Sequence, residues 1–176
     1  MGKRSDKPRI AKDKYRTPME AVLPLLPHLS PRTRFAEPCA GDGRLARHLE
    51  VHGHRCLGMW DTDPDHADVH HGNAERIRWP DPGDAIWITN PPWRRDWLHP
   101  IIRNLIRWAP AWLLFDAGWM HNGTQYPVFQ PYLRKIVSIG RVRWIEGSDF
   151  DSMDDCCWYL FDPQFDPAPP VFIGPA

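Results

Sequence analysis

The chain has 176 residues, 42% of them hydrophobic, with 22 Lys and Arg set against 22 Asp and Glu. That suits a single core, contains no run near the ~20 apolar residues of a membrane span, and excludes a whole-molecule electrostatic grip on nucleic acid, leaving only local patches. Cys39, Cys56, Cys156 and Cys157 form no Cys-x-x-Cys pair, so buried thiols are expected rather than a zinc site, no metal is expected, and without a signal-peptide pattern the expected location is the cytoplasm.

Residues 1–14 are charged and lack apolar periodicity. Lys3, Arg4, Lys7, Arg9, Lys12 and Lys14, with Arg16 just beyond, are broken only by Asp6 and Asp13. They read as a solvated, disordered basic arm, or as an arm that finds phosphate on binding. Thr17-Pro18 predicts a helix start, a hydroxyl N-cap followed by proline, with Val22, Leu25, Leu26 and Leu29 as the apolar face and Pro24 and Pro27 shortening it. Arg34 to Cys39 reads as a first strand, turned by Gly41-Asp42-Gly43 into a helix carrying Leu45, Leu49 and Val51. Glycines there let the backbone approach a ligand, and a helix amino terminus offers free N–H groups. Arg55 to Trp60 is the second strand. Asp61 at its end is suited to ribose hydroxyls, with Asp63 the runner-up.

Only ten residues separate Asp61 from Gly72, so the next βα unit must be cut short, with His70-His71-Gly72-Asn73 after it. His66, His70 and His71 lack the spacing of a metal site. Asp84 to Thr89 is apolar and β-branched, a buried strand ended abruptly by Asn90-Pro91-Pro92-Trp93. Two prolines remove two donors and stiffen the turn, presenting an amide and an aromatic at a strand's carboxyl end. Read alone, the tetrapeptide is equally a strand terminator. Arg94 and Arg95 follow, then a helix from about Pro100 to Trp108, with Ile102, Leu105, Ile106 and Ala109 buried and Arg103 and Arg107 outside. Ala111 to Asp116 is a further strand. A polar, aromatic loop spans Gly118 to Tyr126, then a short helix runs through Phe129 to Leu133. Two β segments, Lys135 to Ile145 and Cys156 to Phe161, precede a Pro-rich tail over residues 163–176.

Set side by side, Glu37-Pro38-Cys39-Ala40-Gly41-Asp42-Gly43 and Asn90-Pro91-Pro92-Trp93 resemble the class I S-adenosylmethionine-dependent methyltransferases, in the branch that methylates exocyclic amino groups of nucleobases. The resemblance spans roughly residues 15–162, the expected catalytic domain. It implies a Rossmann-like α/β fold: a mixed, mostly parallel sheet with helices on both faces, here shortened around the third strand. It implies S-adenosylmethionine as cofactor, held by Tyr15, Thr17 and Pro18 at the methionine end, and by Glu37, Pro38, Ala40, Gly41, Asp42 and Gly43 at the turn. Asp61 and Thr62 would hold the ribose. Asn73 would stand where the family usually has an acid reading the adenine amino group; its amide oxygen can still accept a hydrogen bond.

By the same resemblance, Asn90, Pro91, Pro92 and Trp93 are the catalytic loop. An exocyclic amine attacks poorly because its lone pair is delocalised into the ring. Two acceptors, the Asn90 side-chain oxygen and the Pro91 carbonyl, would localise it, while Trp93 stacks on the base, a task any aromatic could perform. Arg94 and Arg95 would contact the nucleic acid. Asn in the first position favours N6 of adenine, in DNA, over N4 of cytosine. RNA adenine and protein glutamine methyltransferases share the motif, and a cofactor-binding partner subunit without turnover is the alternative of another class. No recognition domain fits in the chain, so a homodimer or a recognition partner is expected.

Overall fold

A computed structural model describes residues 14–144 and 154–175. The basic arm up to residue 13 lies outside the described residues, as does the stretch 145–153 that includes the end of the expected strand at Ile145.

Among the described residues, eight strands make one sheet: β1 (Arg34–Glu37), β2 (Arg55–Asp61), β3 (His70–His71), β4 (Ile86–Thr89), β5 (Ala111–Asp116), β6 (Leu133–Arg141), β7 (Asp155–Phe161) and β8 (Val171–Ile173). Their order across the sheet is β3-β2-β1-β4-β5-β7-β6-β8. Strands β1 to β5 are mutually parallel, and β7 inserts antiparallel between β5 and β6. The chain order reverses between β1 and β4, so their carboxyl ends diverge there and leave the crevice in which open α/β sheets bind ligands.

Strand β5 shows why both faces are covered. Its side chains alternate, and both sets are apolar: Leu113 and Phe115 join one core cluster, Trp112 and Leu114 the other. A strand apolar on both sides must be sandwiched. One face is closed by α1 (Met19–Val22) and α2 (Arg44–Val51), through Ala21, Val22, Leu45 and Leu49. The other is closed by α3 (Arg95–Leu105) and by the aromatic group of Trp119 and Phe129, the latter on α4 (Tyr126–Phe129). Trp158 Nε1 donates to the Ala21 carbonyl of α1 at 2.8 Å, which ties the sheet to that helix layer, and Tyr159 Oη donates to the Asp116 carbonyl at the end of β5 at 3.1 Å.

Several elements differ from the sequence reading. The first helix is one α turn followed by a 3-10 stretch, Leu23–His28, because Pro24 and Pro27 break the α ladder. Pro18, not Thr17, is its N-cap, and the Thr17 hydroxyl is engaged elsewhere. Val51 lies exposed at the end of α2, whose buried positions are Leu45, Ala46 and Leu49. Helix α3 begins at Arg95 with Pro100 inside it, so the proline costs one backbone bond instead of starting the helix. Leu98, Ile101, Ile102 and Leu105 are buried along it and compensate. The expected helix through Leu133 ends earlier, α4 and a 3-10 turn giving way to β6 at Leu133. Within the Pro-rich tail, β8 pairs parallel with β6, with Lys135 opposite Val171.

Candidate active site

Strand β1 delivers the chain to the glycine turn. Ala40 N–H donates to the Trp60 carbonyl at 2.8 Å and Gly43 N–H to the Ala40 carbonyl at 2.7 Å, which closes the turn against β2. Gly41 and Gly43 sit at φ +55° and +77°, a region that L side chains disfavour. They differ in surroundings. A Cβ at Gly43 would come within 2.9 Å of Met59 Sδ, whereas no heavy atom lies within 4 Å of the same point at Gly41. Gly43 is therefore a packing glycine at the start of α2, and Gly41 opens onto the cleft.

That cleft has a volume of about 420 Å³ and is walled by Glu37, Ala40, Gly41, Asp42, Asp61 and Thr62 on one side. Asn73 and Glu75 approach from the loop after β3, Asn90 and Pro92 from the loop after β4, and Tyr15 and Thr17 from the segment before α1. The remaining expected residues stand just outside it. Pro38, Gly43 and Pro91 are buried behind the wall, and Pro18 is at the α1 cap.

Asp61 organises the middle of the cleft. One carboxylate oxygen accepts from Gly41 N–H and the other from Asp63 N–H, both at 2.8 Å. The carboxylate is thus locked beside the glycine turn, with its remaining lone pairs turned to the cleft. Asp63 itself points away, pairing with Lys14, whose ammonium also meets Asp65 at 2.9 Å. Arg16 pairs with Asp42 at 3.3 Å. These pairs draw the segment Lys14–Thr17 across the acidic rim. Asn73 uses its amide oxygen on Glu75 N–H at 2.8 Å. The neighbouring acid, Glu75, brings a carboxylate to the same wall.

The Asn90 amide is held at both ends. Its Nδ2 donates to the Thr17 hydroxyl at 3.2 Å and to the Tyr15 carbonyl at 3.4 Å, and its Oδ1 accepts from Trp93 Nε1–H at 3.2 Å. Trp93 does not line the cleft; it is half-buried and packs against both core clusters. Trp97 and Ile101 of α3 do line it. The Arg94 guanidinium pairs with Asp96 and lies 4.5 Å from the centre of the Trp97 ring. Arg95 is exposed beside a second, more open hollow with His99, Asn122 and Gln125. Sequence reasoning missed Trp97, Glu75, Arg16 and the cleft-lining role of Lys14. Glu75, an acid two residues from Asn73, was the one that spacing could have flagged.

No protein-family model and no curated protein sequence matches the chain. Solved structures do. A Pyrococcus horikoshii protein assigned as an RNA methyltransferase superposes with TM-score 0.61 over 91% of this chain and 92% of its own, at 14% identity. A dimethyladenosine transferase from Plasmodium falciparum gives 0.54 at 13% identity, over 85% of this chain and 62% of its own. A type I restriction-modification methyltransferase subunit from Streptococcus thermophilus gives 0.54 at 8% identity, over 85% and 45%. The fold is that of the class I methyltransferases.

In this methyltransferase fold the crevice between β1 and β4 is acidic. Burial pushes the Glu37 carboxyl well above the usual carboxylate range, only partly opposed by the bond it accepts from Ala46 N–H, and the nearby Asp42 and Asp61 push it further. Burial pulls the Lys14 ammonium down, but Asp65, Asp61 and Asp63 outweigh it and leave the group raised overall. Among the described residues no group of three or more His, Cys, Asp or Glu could hold a metal ion, and no helix is long and apolar enough to cross a membrane.

A stability prediction follows from Glu37. Above the pKa of an unfolded carboxylate, the native state binds more protons than the unfolded one. Stability of the ligand-free protein therefore falls as pH rises from that point through the raised native value. Glu37→Gln removes this penalty. Its melting temperature at pH 8 is expected to exceed the parent's by about 2–4 °C, corresponding to roughly 1 kcal/mol in a chain of this size. The gap should close near pH 5. A gap that does not change with pH would show that Glu37 is not the group responsible.

Proposed function

We propose that the chain is an S-adenosylmethionine-dependent methyltransferase acting on the exocyclic N6 of adenine in DNA. The observation that carries this reading is the meeting, in one cleft, of the Asp61-locked glycine turn and the Asn90 amide. The donor set fits the cofactor's chemistry. Gly41 leaves its wall open, Asp61 keeps lone pairs for ribose hydroxyls, and Asp42 offers negative charge to a cationic group. Glu75 and Asn73 supply polar contacts for adenine, and Trp97 and Ile101 an apolar wall.

The cofactor supplies an electrophilic methyl group on a sulfonium sulfur, so transfer forms an N–C bond, breaks an S–C bond, leaves a neutral thioether and sends the surplus amine proton to solvent. Asn90 Oδ1 draws the amine's N–H bond, so that its lone pair localises for attack, while Pro91, expected as the second acceptor, lies buried behind the cleft wall. Trp93 backs the loop from outside the cleft wall, and the base, which in duplex DNA must first leave the stack, meets the Asn90 amide that Trp93 holds. Arg94, Arg95 and the basic arm serve the phosphates. Recognition of a sequence falls to short loops, a second copy or a partner protein.

RNA adenine is the second reading, favoured by the names of the Pyrococcus and Plasmodium proteins. The test is labelled-methyl transfer to duplex DNA, single-stranded DNA, RNA and protein extract, followed by nucleoside analysis. Label in N6-methyladenine from DNA is expected. Label confined to RNA selects the second reading, and label on glutamine overturns both. Cofactor binding with no transfer to any acceptor makes the chain a non-catalytic subunit.

A further inference from the structure

The Asn90 amide could in principle face either way, since its terminal torsion has two nearly equivalent settings. Here two partners of opposite character remove the choice. An indole N–H can only donate, so the atom facing Trp93 at 3.2 Å must be the amide oxygen. A backbone carbonyl can only accept, so the atom facing Tyr15 at 3.4 Å must be the amide nitrogen, whose other hydrogen goes to the Thr17 hydroxyl. Turning the amide over would set N–H against N–H at Trp93 and oxygen against oxygen at Tyr15.

The indole that imposes this is itself fixed. Its ring meets the Trp144 ring edge-on, centroids 5.6 Å apart at 84°, and Trp144 in turn meets Tyr15 at 6.1 Å and 60°. The contacts form a closed circuit: Tyr15 to Trp144, Trp144 to Trp93, Trp93 to Asn90, and Asn90 back to Tyr15. A phenyl ring at position 93 has no N–H to offer Asn90 and would leave that circuit open.

We propose that Trp93 is a positioning residue for the Asn90 amide, acting through its Nε1–H bond to Asn90 Oδ1. This rests on the methyltransferase reading. One lone pair of Oδ1 is held by the indole, which leaves the other for the target amine. On this proposal Trp93→Phe recovers less than the sequence reading expects of an aromatic that only stacks. An aromatic without the N–H keeps the ring and loses the aim, which is a loss in the transfer step rather than in capture.

The experiment uses the full chain with Trp93→Phe, Trp93→Ala, and 3-benzothienylalanine at position 93, which exchanges only the indole N–H for sulfur. Steady-state transfer to duplex DNA is measured at saturating S-adenosylmethionine. With either N–H-free aromatic, kcat is expected to fall about tenfold, the worth of one hydrogen bond made in the transition state, with KM for DNA changing less than about twofold. With alanine both are expected to worsen. In parallel, the protein alone, labelled with ¹⁵N-tryptophan, is examined by NMR. The Trp93 indole N–H resonance should shift and exchange faster in Asn90→Ala. An unchanged kcat in Trp93→Phe, or an indole resonance indifferent to Asn90→Ala, overturns the proposal. Should the parental protein transfer no methyl group to any acceptor, the function reading falls and takes the catalytic role with it, while the indole resonance still decides the contact.

Discussion

Asn90→Ala is expected to slow single-turnover methyl transfer by roughly 10²–10³-fold at saturating cofactor and DNA, the usual cost of removing one preorganised polar partner from a transition state. On the proposed function the substitution deletes an acceptor for the amine. It also releases Trp93 Nε1–H and the Thr17 hydroxyl, both of which Asn90 binds. Asn90→Asp separates these roles. One oxygen still meets the indole and the other can accept from the Thr17 hydroxyl, but that second oxygen now opposes the Tyr15 carbonyl that Nδ2 approached at 3.4 Å. Intermediate activity is expected. If Asn90→Ala transfers methyl groups at the parental rate, the Asn-Pro-Pro-Trp turn is only a strand terminator, and the proposed chemistry is wrong.

The second large effect is on cofactor affinity. Asp61→Ala is expected to weaken S-adenosylmethionine binding by roughly 3 kcal/mol, over a hundredfold, as measured by calorimetry. More than a ribose contact is lost. Both Gly41 N–H and Asp63 N–H lose their acceptor, so the glycine turn loses its tie to the end of β2. Asp61→Asn keeps one acceptor oxygen and should recover part of the loss. The melting temperature without ligand should drop only modestly, because the core clusters do not include Asp61. Parental affinity in Asp61→Ala would move the ribose contact elsewhere, with Asp63 the first residue to test. No heat with the parental protein would refute the methyltransferase reading altogether.

Much of this fold was readable in the sequence because the central strands β4 and β5 are apolar on both sides. Ala111 to Asp116 was placed to the residue, and the strand before Asn90 nearly so. What escaped was non-local. Pro100 looked like a helix start because only tertiary burial of Leu98 and Ile101 makes a proline tolerable inside α3. β8 is three residues long behind a run of prolines, and it exists because β6 offers an open edge. In the site, the place of Asp61 beside the glycine turn was legible from its spacing after the glycines. The partner of the Thr17 hydroxyl was not: a hydroxyl before a proline suggests a local cap, whereas its actual partner is Asn90, 73 positions away. The cleft wall at Trp97 was missed for the same reason as the start of α3.

The segment Lys14–Thr17 touches both halves of the cleft. Arg16 meets Asp42 at the glycine turn, while Tyr15 and Thr17 meet Asn90 in the loop after β4. A ligand that orders this segment from one side leaves less ordering for a ligand arriving at the other. The two affinities are then linked by a single coupling free energy, equal in both directions. Cofactor would tighten the grip on the target base, and the target base would tighten the grip on cofactor by the same factor. Loosening the segment would erase that reciprocity before it erased either affinity.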